Sequence, residues 1–259
     1  RVGALVLRHY YLLKGSWPRL LEMAYWPTMQ VVLWGLITQF FLTHSAWLVQ
    51  ASGVLIAAVL LWDVVFRGQI GVAVSFLEEM WSRNLGNLFV SPLRPGEFVV
   101  ALFLVSLMRT LIGILPATGV AMLLFHYSIY SMGFPLLVFF ANLIVFGWST
   151  GMACSALILR YGLGAESIAW VAVLAFAPIS GVYYPIATLP ASVQPIAWAL
   201  PTAHVFEGMR AVLFEGAFRL DLLAGAMALN AVYLGLAVAA FLYSFHIARV
   251  RGLLLQGGE

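Results

Sequence analysis

Two apolar runs long enough to cross a membrane enclose a short charged stretch, and this arrangement limits what the chain can fold into. The runs cover about Leu48–Phe66 and Phe98–Phe125, and the charged stretch between them is Ser75–Glu97. A charged side chain in hydrocarbon costs about 3 kcal/mol or more, so this stretch must lie outside the membrane. Pro92 and Pro95 then break the backbone. We therefore predict a short cytoplasmic helix, a sharp stop and a new span, which form a hairpin over residues 67–97.

The composition indicates an integral membrane protein. Of the 259 residues, 63% are hydrophobic and only 9% are charged, whereas a soluble domain has about 25% charged residues. The formal net charge of +3 comes from few groups. Nucleic-acid binding is therefore not predicted, and the basic residues are expected to set the membrane topology. The single cysteine, Cys154, can form no internal disulfide.

The apolar runs predict an all-α fold with six transmembrane helices in a single domain over residues 1–259. Residues 1–17 have too few turns to span a membrane and are expected to form an amphipathic helix on the cytoplasmic interface. Asp63 and Arg67, four residues apart, are placed at the inner end of the second span. The spans are expected at about Leu20–Leu42, Leu48–Phe66, Phe98–Phe125, Phe134–Leu159, Ser167–Tyr184 and Leu222–Phe245.

The segment before the last span, residues 185–221, is apolar but interrupted by prolines. Its pieces are too short to cross a membrane, so an outer re-entrant helical hairpin is predicted, shielded by the rest of the protein. Glu207 and Arg210 would need water or each other at that depth. The prolines are Pro185, Pro190, Pro195 and Pro201.

The distribution of basic residues tests the orientation of this arrangement. It places ten Arg and Lys residues inside, Arg210 and Arg219 outside, and Arg109 within the membrane. Such an excess satisfies the positive-inside rule with both termini in the cytoplasm. The ten inner residues are Arg1, Arg8, Lys14, Arg19, Arg67, Arg83, Arg94, Arg160, Arg249 and Arg251.

One pentapeptide matches a catalytic motif. Gly147–Gly151 reads Gly-Trp-Ser-Thr-Gly and fits the G-x-S-x-G pattern. An intramembrane protease of the rhomboid kind would pair Ser149 with a histidine such as His126 or His204. The pattern requires a strand-to-helix turn, however, whereas this pentapeptide is expected in the middle of a helix. It is also a G-x-x-x-G, which allows spans to pack closely, and packing is the favoured interpretation.

Other chemistry-bearing motifs are missing from the sequence. The only lysine, Lys14, is followed by glycine rather than by Ser or Thr, so it cannot belong to a phosphate-binding P-loop. The five histidines are far apart and form no metal-binding pair. We therefore predict no catalytic residue, no metal site and no cofactor in this chain.

Arg109 has two interpretations that the sequence leaves open. It could pair with an acid on a neighbouring span, such as Asp63 or Glu166. Alternatively, it could contact an anionic headgroup or substrate that passes through the protein.

Two stretches resemble the permease subunit of type-2 ATP-binding-cassette (ABC) exporters. Glu78–Ser82, leading to Ser91-Pro92-Leu93, looks like the coupling region of that family. Pro201–His204, followed by five residues and Arg210, is similar to the family signature. Pro178–Gly181 and Tyr184-Pro185 also fit its pattern of small residues and proline. The order of elements is similar too, so the resemblance covers essentially the whole chain.

The resemblance implies a homodimer, joined through the first and fifth spans, that acts with two copies of a separate ATPase subunit. ATP and Mg²⁺ would bind to that subunit, and this chain would not be an enzyme. The cargo would be a lipid, a glycolipid or polysaccharide, or an amphipathic drug-like molecule. It would be exported through a bacterial cytoplasmic (inner) membrane, whose lipid surrounds the permease.

The resemblance also assigns roles to individual residues. Glu79 and Arg83 are expected to face the cytoplasm from the predicted short helix, and they could simply pair with each other. Residues expected to couple the chain to the ATPase are Glu78, Glu79, Arg83, Pro92 and Arg94. Residues expected in a substrate path or gate are Arg109, Tyr184, His204, Glu207 and Arg210.

An ion-driven secondary transporter is a further alternative. Such transporters bind their coupling ion near the middle of the membrane, whereas Asp63 and Glu166 are expected near the ends of spans. The two halves of the sequence also show no obvious repeat.

Overall fold

A computed structural model describes residues 1–44, 52–90 and 92–250, in which all regular secondary structure is helical. The all-α fold is thus confirmed, with no strand among these residues. Short 3₁₀ helices lie at Ile129–Met132, Leu163–Ala165, Ala177–Ile179 and Ile186–Thr188, and a π-helical turn lies at Ala211–Glu215. The α-helices are α1 (Val2–Lys14), α2 (Trp17–His44), α3 (Ser52–Trp81), α4 (Leu85–Val90), α5 (Pro95–Phe125), α6 (Phe134–Tyr161), α7 (Glu166–Phe176), α8 (Gln194–Trp198), α9 (Pro201–Arg210) and α10 (Leu220–Val250).

Four of the described helices, α3, α5, α6 and α10, are long and apolar enough to cross a membrane. Helix α2 has 28 residues but is not among these four, and α7 is apolar but has only 11 residues. The chain is therefore a multi-pass membrane protein. The number of six spans stays a prediction.

The long helices run alternately between two ends of a bundle, which we name after the short helices that lie there. At the α1 end, Arg1 pairs with Glu97 at the start of α5. At the α9 end, His204 of α9 packs against Gly225 near the start of α10. A helix of 31 residues is about 46 Å long, so α5 and α10 connect the two ends.

Helix α3 differs most from the sequence prediction. It continues through Arg67 to Trp81 instead of ending near Asp63 and Arg67. The placement of the inner membrane boundary at these two residues stays a prediction. These two side chains bond to each other, Nε to Oδ2, at 2.6 Å, which lets the helix carry both charges through its middle. Gly113 of α5 makes room for Arg67, because a Cβ there would lie 2.6 Å from its guanidinium carbon. The predicted start at Leu48 lies outside the described residues.

The separate cytoplasmic helix predicted from Ser75 was wrong in its bounds. Residues 75–81 form the last turns of α3, and only Leu85–Val90 form a separate short helix. The break between them contains Arg83, which has a φ of 52°. Few non-glycine residues adopt this left-handed conformation, so the chain turns sharply here.

The fifth predicted span is shorter than expected. Helix α7 ends at Phe176 and one 3₁₀ turn takes the chain to Ile179, rather than to Tyr184. Pro178 has no N–H with which to continue the helix. Gly181, with a φ of 68°, then redirects the chain towards the segment that precedes α10.

That segment contains short helices, as its prolines predicted. Pro195 and Pro201 each lie in the first turn of a helix, where the missing N–H has no consequence. The resulting helices, α8 and α9, have five and ten residues. Both are too short to cross a membrane. Their depth in the outer leaflet stays a prediction.

Helix α3 lies at the centre of the bundle, packed against α5 on one side and α6 on the other. Close approach to α6 depends on glycine. A Cβ on Gly147 would lie 2.8 Å from the Val65 carbonyl oxygen, and one on Gly151 would lie 2.5 Å from the Gln69 carbonyl oxygen. The G-x-x-x-G interpretation of this pentapeptide is therefore confirmed.

Ser149, in the same pentapeptide, lies in the middle of α6 and not at a strand-to-helix turn. It is buried, and its hydroxyl donates to the Val145 carbonyl oxygen at 2.8 Å. Within the described residues no hydrogen bond joins Ser149 to a histidine. The geometry gives no support to a serine protease.

The glycine contacts generate a test of the packing between α3 and α6. We expect Gly151→Ala to lower the free energy of unfolding by about 1–3 kcal/mol, because the added Cβ overlaps the α3 backbone. The measurement is reversible unfolding in mixed micelles.

Gly235→Ala is the matched control, because nothing lies within 4 Å of a Cβ at Gly235 of α10. We expect this variant to keep the unfolding free energy or to raise it by up to about 1 kcal/mol, because alanine has a higher helix propensity than glycine. Equal stability of both variants would contradict the packing argument.

Candidate functional site

Most of the described ion pairs gather at the two ends of the bundle. We call the group at one end the α1-end cluster; it joins side chains from α1, α2, α3 and α5 and from the turn before α4. Its members are Arg8, His9, Arg19, Glu78, Glu79, Asn84 and Arg109.

Glu79 is the most buried member of the α1-end cluster, with 1% of its surface exposed. Its Oε1 atom accepts a hydrogen bond from Arg8 and lies 3.6 Å from Nε2 of His9. Its Oε2 atom accepts a hydrogen bond of 2.7 Å from the Asn84 side chain. The expectation that Glu79 faces the cytoplasm was therefore wrong, because α1 covers it. The alternative pairing with Arg83 does not occur either.

Glu78, the neighbouring acid, binds a different helix. Its Oε2 atom accepts a hydrogen bond of 2.6 Å from Arg109 of α5, and its Oε1 atom lies 3.4 Å from Arg19 at the start of α2. Arg109 lies about 21 Å into α5 from Pro95, and helical side chains lean towards the N-terminus, so Arg109 reaches back to the α1 end. It pairs with Glu78 rather than with Asp63 or Glu166. Its role in a substrate path stays a prediction.

The three remaining predicted coupling residues lie at the exposed edge of this end. Arg83, in the turn after α3, is exposed and forms no ion pair with a described residue. Pro92 is exposed before the start of α5. Arg94 precedes the first residue of α5, and its backbone N–H donates to Oε2 of Glu97 at 2.8 Å, which caps the helix. Together with Trp81 and Asn87, these residues form the most exposed part of the α3–α5 connection.

At the α9 end, Arg210 holds a backbone turn in place. It is 8% exposed, and its NH2 group donates to the carbonyl oxygens of Gly181 and Val182. Its NH1 group lies 3.4 Å from Glu207, whose Oε1 atom also accepts the Ile186 N–H at 2.7 Å. The two charged residues of α9 therefore fasten residues 181–186 to that helix. We call this group the α9 clamp.

The other two predicted gate residues also make contacts inside the protein. The Tyr184 hydroxyl donates to the carbonyl oxygen of Pro178. His204 is bonded through Nδ1 to the Leu200 carbonyl oxygen at 3.2 Å, and its ring meets Trp198 edge-on with centroids 5.1 Å apart. Both residues thus shape the turns around α8 and α9.

A cavity of about 360 Å³ lies beside the α9 clamp. Its polar lining consists of Glu207, Arg210, Glu215 and Arg219, and Trp198 and Phe214 supply aromatic walls. Arg219 forms a bidentate pair with Asp221 at 2.8 and 2.6 Å. This hydrogen bonding, together with the charges of Asp221 and Glu215, raises the pKa of Arg219, which therefore stays protonated.

Several of these residues were missed in the sequence. Arg8 and Arg19 had been assigned only to topology, and His9 had been considered only as one of five scattered histidines. Nothing in their spacing indicates Glu78 or Glu79 as partners. Trp198 and Phe214 are two of many aromatic residues in this composition. The usable signal was the pair Glu207 and Arg210, three residues apart in a segment with few charges.

The α9 clamp generates a test. Arg210→Met removes both hydrogen bonds to the turn, so amide hydrogen exchange in residues 181–186 should become about 10- to 100-fold faster. Arg219→Met is the control: it removes a cation that is bonded to Asp221 instead, and exchange in 181–186 should stay unchanged. Unaltered exchange in Arg210→Met would show that the clamp does not hold the turn.

Comparison with protein families gives a match. No curated protein matches the chain. The family profile described as ABC-2 type transporter matches residues 9–214, which is about four fifths of the chain. The matched range includes the α9 clamp and the α1-end cluster apart from Arg8. This family supplies the membrane-spanning permease of ABC transporters and pairs with an ABC ATPase subunit. The chain therefore belongs to the ABC-2 type transporter family.

Proposed function

We propose that the chain is the permease of an exporter that moves an amphipathic substrate out of the cytoplasm or the inner leaflet. The substrate class is a lipid, a glycolipid or polysaccharide, or a drug-like amphipath. Two copies of the chain act with two ATPase subunits, and the dimer contact involves α2 and α7. The membrane is a bacterial cytoplasmic (inner) membrane, with both termini on the cytoplasmic side.

The observation that carries this proposal is the position of the α1-end cluster next to an exposed connection. Trp81, Arg83 and Asn87 lie where a soluble partner can reach them. Directly behind them, Glu78 and Glu79 bind α1 and α5. A force that acts on the connection would therefore be transmitted to α3 and, through the two glutamates, to α1 and α5. In this proposal the two glutamates act through the bundle, and the exposed residues contact the ATPase.

The substrate class is supported by the small number of fixed charges in the bundle. Among the described residues, the charged groups in the middle of the long helices are Asp63, Arg67 and Arg109, and each is paired with an opposite charge. A small hydrophilic ion would need more polar groups to replace its hydration, whereas an amphipath can use apolar walls.

The secondary transporter is less well supported, although Asp63 lies in the middle of α3 rather than near an end of that helix. Its Oδ2 atom is bonded to Arg67, however, so a coupling ion would have to compete with this cation for the carboxylate. The family match also favours ATP-driven transport.

The coupling proposal can be tested by reversing one exposed charge. We expect Arg83→Glu to lower co-purification with the ATPase and substrate-stimulated ATP hydrolysis by about tenfold, because a rim charge contributes about 1 kcal/mol or more when it faces an opposite charge. Folding should be unaffected, because the side chain is exposed.

Arg160→Glu is the matched control, since Arg160 is an exposed cation that lies at the same end of the bundle, close to the end of α6. We expect its ATPase association to be near that of the unaltered chain. If Arg83→Glu retains full association and hydrolysis, the exposed connection is not the docking element.

A further inference from the structure

The charged groups at the α9-end cavity carry one negative charge in excess, because the single cation Arg219 interacts with two acids, Asp221 and Glu215. Glu207 pairs with Arg210, and Arg219 pairs with Asp221, which is not part of the lining. Glu215 is exposed and forms no ion pair within the described part of the chain. The site is therefore suited to a ligand that brings a positive charge to Glu215.

The walls of the cavity favour an organic cation over a metal ion. Trp198 and Phe214 both line it, and Phe214 is 50% exposed. An aromatic face attracts an ammonium group, and the attraction is worth about 0.5–1 kcal/mol at an exposed site. His204 supports the Trp198 ring edge-on, so this wall is fixed before a ligand arrives. No group of three metal-ligating side chains was found among the described residues.

The backbone beside the cavity contains a rare type of helical turn. Ala211–Glu215 form a π-helical turn that presents Phe214 and Glu215 to the cavity. Such π-helical turns are rare and are frequently found at functional sites.

Arg219 gives the cavity a second, opposite charge. Its guanidinium lines the cavity while Asp221 occupies only its Nε and NH2 donors. The remaining donors suit a phosphate oxygen. The volume of about 360 Å³ is at the low end of that of small-molecule sites and fits a headgroup rather than whole acyl chains. Leu222 and Ile186 provide the apolar edge where the chains of a lipid would leave.

We propose that this cavity binds a phosphorylated amine, with the ammonium group at Glu215 between Trp198 and Phe214 and the phosphate at Arg219. The headgroup of phosphatidylethanolamine has this chemistry, and so has free phosphoethanolamine. The proposal goes beyond the proposed function, because it concerns binding and holds whether or not the bound molecule is the cargo.

The test uses the full chain in uncharged detergent and measures binding by calorimetry. The probes are short-chain phosphatidylethanolamine, short-chain phosphatidylglycerol with the same acyl chains, and water-soluble phosphoethanolamine. Phosphatidylglycerol carries the phosphate without the amine. We expect phosphatidylethanolamine to bind at least about tenfold more tightly than phosphatidylglycerol. Equal affinity for the two lipids would overturn the proposal.

Two variants assign the preference to this cavity. Glu215→Gln should remove the preference for phosphatidylethanolamine and leave the affinity for phosphatidylglycerol unchanged. Glu22→Gln, which alters an exposed acid of α2 near the α1 end, should keep the preference. A preference that survives in Glu215→Gln would also overturn the proposal. Thermal unfolding of both variants verifies that they are folded.

The water-soluble probe distinguishes the two sources of the ligand. If phosphoethanolamine binds as tightly as the lipid, the site recognises the headgroup and the acyl chains contribute nothing to the affinity. Binding of the lipid only would show that the apolar edge at Leu222 contributes and that the ligand comes from the membrane. Because no ATPase is present, these outcomes are independent of the test of coupling at Arg83.

Discussion

Charged groups inside an apolar bundle must find partners, and this requirement determines how the α1 end is built. An unpaired buried charge costs several kcal/mol, and Glu79 has almost no contact with solvent. Arg8 and Asn84 bind both of its oxygens, and Arg109 binds Glu78. Helices α1 and α5 are thereby held against the end of α3. The α3–α5 connection is thereby attached to a network of ion pairs.

The middle and the other end of the bundle are held by different means. Glycines at 147 and 151 bring α6 against α3 at backbone distance, and this contact fixes the two central helices relative to each other. At the α9 end, Arg210 and Glu207 fasten the turn that follows α7. A displacement at the exposed connection would therefore pass along α3 and α6 to the segment beside the cavity. This is the mechanical basis on which an ATP-driven permease could use the fold.

Much of the fold could be predicted, because apolar length is a direct property of sequence. The bounds of α5, α6 and α10 agree with the predicted spans within a few residues. Helix α3 was predicted too short because Asp63 and Arg67 indicate the end of a span, whereas the helix continues past them. Glu79 was placed on the wrong face because its partners come from α1, more than 70 residues away. The cavity could not be predicted, since its walls come from separate turns whose approach depends on Arg210.

The bond between Glu78 and Arg109 is the most direct test of this account, because it joins the end of α3 to the interior of α5. The measurement is a double-mutant cycle on the full chain in lipid nanodiscs, with Glu78→Gln, Arg109→Gln and both together, read as free energies of unfolding. The account predicts that each single change destabilises the protein and that the double variant loses less than the sum, with an interaction energy of about 1–3 kcal/mol. Strictly additive effects would show that the two charges do not interact, and would contradict the claim that buried ion pairs hold this end of the bundle together.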